Sequence, residues 1–400
     1  MTKTEKARVL KRIRPLLVSS FFGSFVFWYV VDKLFAENLG ISLARMGIII
    51  ATLSIFTLVL EVPSGILADR WSRKKVLAVG ILFLMVSTLA GAIGTNQAYY
   101  WVLSIAWGVY AAMYSGVFEA LISDVLIEEK IDNGEYEVFY GRKHILETIG
   151  LISGTIFGGL LAGVNIHLPF YVTLIPLVIS LVCLSRFREP SVHKHAQDAQ
   201  LLIHTKQTLR AAVDSRELRY YLLITTLLIG CQRIFWEFGQ YWYIQLGLDV
   251  RAYGIFGALN FVGLGLAGFV ASKKYLKRNT LLVVGLGIFV VCCALLAVPN
   301  KWLAAATLPF VIFSMVLAGI AVTSLTQSKL PSHVRSGATS VNNGLGNLFF
   351  IPIGILFGIL ADEFTVSHAV VLPTIIIVIT LILSLRIRAL GHKSDSLHTT

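Results

Sequence analysis

The sequence predicts an all-α membrane protein with twelve transmembrane helices arranged as two pseudo-symmetric six-helix bundles. Three observations lead to this class. First, 56% of the 400 residues are hydrophobic and 14% are charged, and the mean hydropathy is +0.76. Soluble domains carry about 25% charged residues, so too few polar side chains remain to cover a soluble core of this size. Second, twelve apolar runs follow one another, each close to or above the ~20 residues that a helix needs to cross ~30 Å of hydrocarbon. Third, the bases fall in alternate loops. With the N-terminus inside, 29 of the 34 Lys and Arg lie on the cytoplasmic side, and Lys33, Arg45, Arg251 and Lys301 lie outside. That asymmetry fixes the expected orientation, with both termini cytoplasmic.

The first run, 15–36, follows a basic arm from Lys3 to Arg14. No small-residue cleavage site follows a short apolar core, so the run is read as a retained helix and its own insertion signal. Runs 46–68 and 76–95 form a hairpin around a short basic loop. Runs 99–127, 143–164 and 168–185 complete an N-terminal bundle over residues 1–185. In the fifth run, Gly150, Gly154 and Gly158 recur every four residues, a pattern that allows close helix packing. Residues 186–218 hold Pro190, three histidines and mixed charge, and are read as a cytoplasmic linker. His193 and His195 lack a Cys or carboxylate to complete a metal site, so the pair reads as solvated. The C-terminal bundle, 219–400, holds runs 219–243, 253–272, 280–298, 302–328, 338–361 and 369–387. A faint repeat links the halves: Phe27-Trp28 recurs as Phe235-Trp236, and Arg278 falls opposite Arg73 with Lys274 in place of Asp69.

The loop between the second and third runs reads Gly65-Ile-Leu-Ala-Asp69-Arg70-Trp-Ser-Arg73-Lys74-Lys75. It closely resembles the signature between helices 2 and 3 of the major facilitator superfamily of transporters, with Ser72 where that family usually has Gly. The six-plus-six helices and the central linker extend the resemblance over essentially the whole chain. It implies two bundles that alternate access to a midplane site, and a charge cluster of Asp69, Arg73 and Asp124. It also implies a gating role for Gly65, Arg70 and Lys74. Gly65 would let helix 2 approach helix 11 closely. Proton antiporters of the superfamily often carry a Gly-Pro pair in helix 5, and here Gly154 is followed by Thr155.

Charges inside a bilayer are costly and are usually functional or paired. Asp32 lies roughly 26 Å past Pro15 and shares a helical face with Ser24 and Trp28. It is either a proton site or a partner of Lys33. Glu61 precedes the kinking Pro63 and is either a cavity acid or a cap for freed backbone. Glu119 and Asp124 face about 140° apart on one helix. Glu119, on the face of Ser115, Ala112 and Gly108, either titrates in the cavity or pairs with Arg142, Lys143 or His144. Arg233 lies roughly 20 Å past Tyr220, and Glu237 stands one turn on. They are read as a switchable pair with Glu237 as proton carrier, or as a fixed ion pair. Asn343 and Asn347 share a face and either bind substrate or join helices.

The expected function is secondary active transport of a small molecule, proton-coupled, with efflux of amphipathic compounds as the leading direction. A proton symporter or uniporter of a metabolite, and a non-transporting sensor of the same fold, stay open. No GxxxxGK[ST] motif, HExxH motif or CxxC pair points to nucleotide, cofactor, metal or enzyme chemistry. The expected partners are the small-molecule substrate, protons and the lipid bilayer of the plasma membrane. The net charge of +12 lies in short loops, so nucleic acid is not expected. A monomer is.

Overall fold

A computed structural model describes residues 3–131, 135–190, 216–273, 275–330 and 335–397. Residues 191–215 of the expected linker, with His193 and His195, and Lys274 of the second repeat copy lie outside the described residues. The described chain is helical throughout: α1 Lys3–Gly23, α2 Asp32–Asn38, α3 Leu43–Arg70, α4 Arg73–Ile93, α5 Gln97–Tyr114, α6 Val117–Glu128, α7 Tyr136–Ala162, α8 Leu168–Ser185, α9 Arg216–Phe238, α10 Gln240–Gln245, α11 Val250–Ala271, α12 Arg278–Leu296, α13 Lys301–Ser328, α14 Arg335–Glu363, α15 Val366–Ala369 and α16 Val371–Leu397. Eleven spans among the described residues are long and apolar enough to cross a bilayer. The remaining helix, α9, is 23 residues long and less apolar because it carries Arg219, Arg233 and Glu237. With it the count is twelve.

The chain forms two compact units. One is Met1–Ile41, Thr52–Ala196 and Asp249–Ala258; the other is Ser42–Ala51, Gln197–Leu248 and Leu259–Thr400. The first ten residues of the α3 region thus group with the second unit, where Asp362 accepts from the backbone N–H of Leu43 at 2.8 Å and of Ala44 at 2.9 Å. A carboxylate at a helix N-terminus satisfies donors that have no partner within the helix. In the first unit, Val9, Ile13, Leu16, Leu121, Val125 and Phe139 are wholly buried and tie α1, α6 and α7 together. Large apolar side chains such as Val86, Val102, Phe157 and Ile175 are exposed instead. In a spanning helix that is the face for lipid.

The first and fourth apolar runs break in ways that move expected site residues. The first breaks after Gly23 into a 3-10 turn, Phe27–Val30, and then α2. The expected face of Ser24, Trp28 and Asp32 therefore does not form. The cause lies in α7, whose glycines let the opened backbone come very close. A Cβ at Gly158 would stand 1.9 Å from the Phe27 carbonyl oxygen, and one at Gly150 would stand 2.1 Å from Ser24 Oγ. The freed N–H of Phe27 donates to Thr173 Oγ1 at 3.1 Å, so the break is satisfied inside the protein, as it must be at membrane depth. The fourth run breaks at Ser115 and Gly116, and Gly116 takes φ 71°, the left-handed region. Glu119 therefore leaves the face of Ser115, Ala112 and Gly108.

Candidate functional site

At the end of α3, Arg73 gathers two acids. Its Nη1 donates to Asp124 at 2.5 Å, and its Nη2 and Nε donate to Asp69 at 2.8 and 3.2 Å. Lys74 Nζ donates to the carbonyls of Ser185 and Phe187, both at 2.7 Å, and so caps the open end of α8. Ser72 caps α4 by accepting from the Lys75 N–H at 3.1 Å, and its hydroxyl donates to Glu189. This gives the Ser-for-Gly departure a structural reason. Arg70 is exposed. Among the described residues, a Cβ on Gly65 would meet nothing within 4 Å. In the second copy, Arg278 Nη1 donates to the Ala271 carbonyl at 2.5 Å. It holds the preceding helix end by backbone rather than through an acid.

The interior of the first unit contains a second charge cluster. Lys143 Nζ lies 2.7 Å from Glu119 and 3.4 Å from Glu147. Its side chain is 3% exposed and sits against the rings of Phe118 and Tyr114, 4.8 and 5.2 Å from their centroids. Of the two readings of Glu119, pairing is the geometry found. Glu147 Oε1 also accepts from Tyr114 at 2.5 Å and from Ser20 at 2.5 Å. These groups border a cavity of about 210 Å³ whose walls include Trp107, Tyr110, Tyr114, Phe118 and Glu147. Glu147 is absent from the residues singled out in the sequence. The signal that finds it is its spacing of one turn from Lys143 on the same helix.

In the second unit, Arg233 Nη1 donates to Asn347 Oδ1 at 2.9 Å, and its Nη2 donates to Glu237 at 3.3 Å. The guanidinium carbon stands 4.6 Å from the Phe350 ring centre, a cation–π arrangement. Asn343 is exposed. It lines a separate cavity of about 530 Å³ with Gln232, Thr323, Ser324, Gln327 and Asn342. That wall is rich in amides and hydroxyls and also includes Arg278. Asn342 Oδ1 is buried there with no hydrogen-bond donor among the described residues.

The other two acids lie elsewhere. Asp32 is buried against Lys33 at 2.8 Å, and Trp28 turns away to donate to Thr88 at 3.1 Å. Glu61 is exposed. At its turn Ser64, not the carboxylate, serves backbone, sharing its proton between the carbonyls of Ala112 at 2.9 Å and Glu61 at 3.0 Å.

Residues 15–354 match the Major Facilitator Superfamily. An uncharacterized MFS-type transporter, YxaM of Bacillus subtilis (strain 168), is 25% identical over 360 residues, which is 85% of this chain and 86% of that protein. Multidrug resistance protein 2 of the same organism is 26% identical over 203 residues, 50% of this chain and 49% of that one. Among solved structures, a point mutant of the nucleoside transporter NupG superimposes with a TM-score of 0.76 at 16% identity, covering 94% of this chain and 98% of that one. At that identity the likeness speaks to fold. The chain belongs to the major facilitator superfamily and is a multi-pass secondary transporter of that type.

Proposed function

We propose that this transporter moves small amphipathic molecules out of the cell at the expense of a proton gradient, from the plasma membrane and with both termini in the cytoplasm. The observation that carries the reading is the placing of carboxylates against single bases inside each unit: Glu119 and Glu147 on Lys143, and Glu237 on Arg233. A carboxylate in that setting changes its partner when it takes a proton, because the neutral acid no longer attracts the base. The first cavity adds aromatic walls beside a carboxylate, which favours flat apolar molecules carrying a cationic group. The partial likeness to Multidrug resistance protein 2 agrees with export.

The hydroxyl- and amide-rich cavity of the second unit, with Arg278 in its wall, favours a second reading, proton symport of a hydroxyl-bearing metabolite. Ethidium in proteoliposomes with an imposed pH gradient separates the two. Gradient-driven ethidium movement that is lost in Glu237→Gln is expected. Ethidium movement that ignores the gradient overturns the proton coupling. No ethidium movement overturns the amphipathic substrate and leaves the metabolite reading standing.

A further inference from the structure

We infer that Glu147 is a proton-binding site of this protein, with Lys143 as a movable counter-ion shared between Glu147 and Glu119. The inference deepens the proton-coupled reading and names a carboxylate other than Glu237.

The charge count comes first. One ammonium faces two carboxylates, so with both acids ionised the cluster holds one uncompensated negative charge. An unpaired charge within a bilayer is expensive. A single proton brings the cluster to neutrality. His144 Nδ1 is 3.8 Å from Glu147 Oε2, and its side chain is 52% exposed, so it is a solvent-side neighbour and not a buried counter-charge.

The geometry then selects which acid. Glu119 holds Lys143 at full ion-pair distance, whereas Glu147 holds it at 3.4 Å. Glu147 Oε1 carries the donors Ser20 and Tyr114. Among the described residues no hydrogen bond reaches its Oε2, and His144 Nδ1 stands 3.8 Å from it. A proton can therefore settle on Oε2 without displacing a hydrogen bond, while Oε1 becomes the carbonyl oxygen that keeps both donors. The group is also reachable. It borders the cavity, and its side chain is 16% exposed. It stands about 17 Å along α7 from Tyr136.

The surroundings leave few rivals. Among the described residues, the titratable and charged groups that face Glu147 are Tyr110 and Tyr114 from α5, Glu119 from α6, and Lys143 and His144 from its own helix. At the cavity, α1 presents Ser19 and Ser20, and the turn after it Ser24; α4 presents Leu77, Ile81 and Leu84; α8 presents Ser180 and Leu184. The step balances simply: hydronium gives its proton to Oε2 and leaves as water. Lys143 is then held by Glu119 alone. Loss of the proton draws it back toward Glu147. Tyr114 and Ser20 line the cavity as well as bonding the carboxylate. A ligand that takes either hydroxyl removes a donor that favours the ionised acid, so ligand and proton affect one another's binding reciprocally.

The test is infrared difference titration of the whole purified protein in lipid nanodiscs, reading the stretch of protonated carboxyl groups. A titrating band is expected in the wild type and should vanish in Glu147→Gln. In Tyr114→Phe the band should move to higher frequency, because the carbonyl oxygen loses one donor. A band unchanged in Glu147→Gln overturns the inference. Glu147→Asp serves if the glutamine variant does not fold. Its shorter acid withdraws from Tyr114 and Ser20, so a shifted band and midpoint are expected, and an unshifted one overturns the site. Gradient-driven ethidium movement with a band that survives Glu147→Gln means that coupling stands and this assignment fails. A band lost in Glu147→Gln with ethidium movement indifferent to the gradient means the reverse.

Discussion

Lys143 is the side chain on which the most depends. Its ammonium is buried, touches two acids and packs against three aromatic rings, including Tyr140 at 5.9 Å. Removing one partner of a buried charge pair costs far more than the pair contributes, because the remaining charge is stranded. Lys143→Met strands two carboxylates and should destabilise the protein by about 3–5 kcal/mol. Glu119→Gln should cost clearly less, since Lys143 still faces Glu147. Thermal unfolding of the two detergent-solubilised variants checks the order, and equal melting temperatures would contradict the shared-base geometry. At this scale the sequence was legible wherever an acid and a base stood out within apolar runs. Arg233, Glu237 and Asn347 meet, and so do Asp69, Arg73 and Asp124. Glu147 was harder to read because it follows Arg142, Lys143 and His144 so closely that it merges with the basic start of its helix. The partners Tyr114 and Ser20 come from two other helices, and no spacing along the chain announces them.

At the scale of elements, glycine decides how closely helices approach, and the structure separates two cases that look alike in sequence. A Cβ at Gly158 would collide with the Phe27 carbonyl oxygen, a backbone atom held in the turn after α1. Among the described residues, nothing within 4 Å would meet a Cβ at Gly65. Gly158→Ala should therefore push α7 away from the broken first helix and lower the melting temperature, whereas Gly65→Ala should leave it unchanged. A melt series on the two variants reads this directly. Equal effects would mean that the approach at Gly158 is relaxed in the bilayer. The helix breaks themselves were not legible. Hydropathy reports whether a segment tolerates lipid, not whether its backbone is continuous, and an irregular segment covered by protein satisfies the same test. Gly116 was a local hint, but an isolated glycine in an apolar run is as often plain packing.

At the scale of the molecule, the proposed orientation rests on joining side-chain contacts to the charge count. Arg8 and Arg12 of the N-terminal arm each lie 2.7 Å from Glu129, just past the end of α6. Ser72 before α4 and Lys74 in its first turn hold Ser185 at the end of α8 and Phe187 and Glu189 just past it. Three even-numbered spans thus end on the same side as the N-terminus, which twelve alternating crossings require. The alternating topology read from the sequence puts 29 of the 34 bases on the side of the N-terminus, and bases near span ends resist translocation. Twelve spans and their alternation were legible because each is a local property of about twenty residues. The regrouping of Ser42–Ala51 and Asp249–Ala258 with the opposite units was not, since it depends on pairings between distant helices. Single cysteines test the orientation in intact cells. Lys75 and Thr95 are both exposed, at opposite ends of α4. Lys75→Cys should react with a membrane-impermeant maleimide only after the cells are opened, and Thr95→Cys should react at once. The native cysteines Cys231, Cys292 and Cys293 are buried, and the wild type supplies the background for Cys183. Prompt labelling of Lys75→Cys with protection of Thr95→Cys would invert the molecule in the membrane. Asp69, Arg73 and Asp124 would then stand outside, and Glu147 would open toward the opposite reservoir of protons.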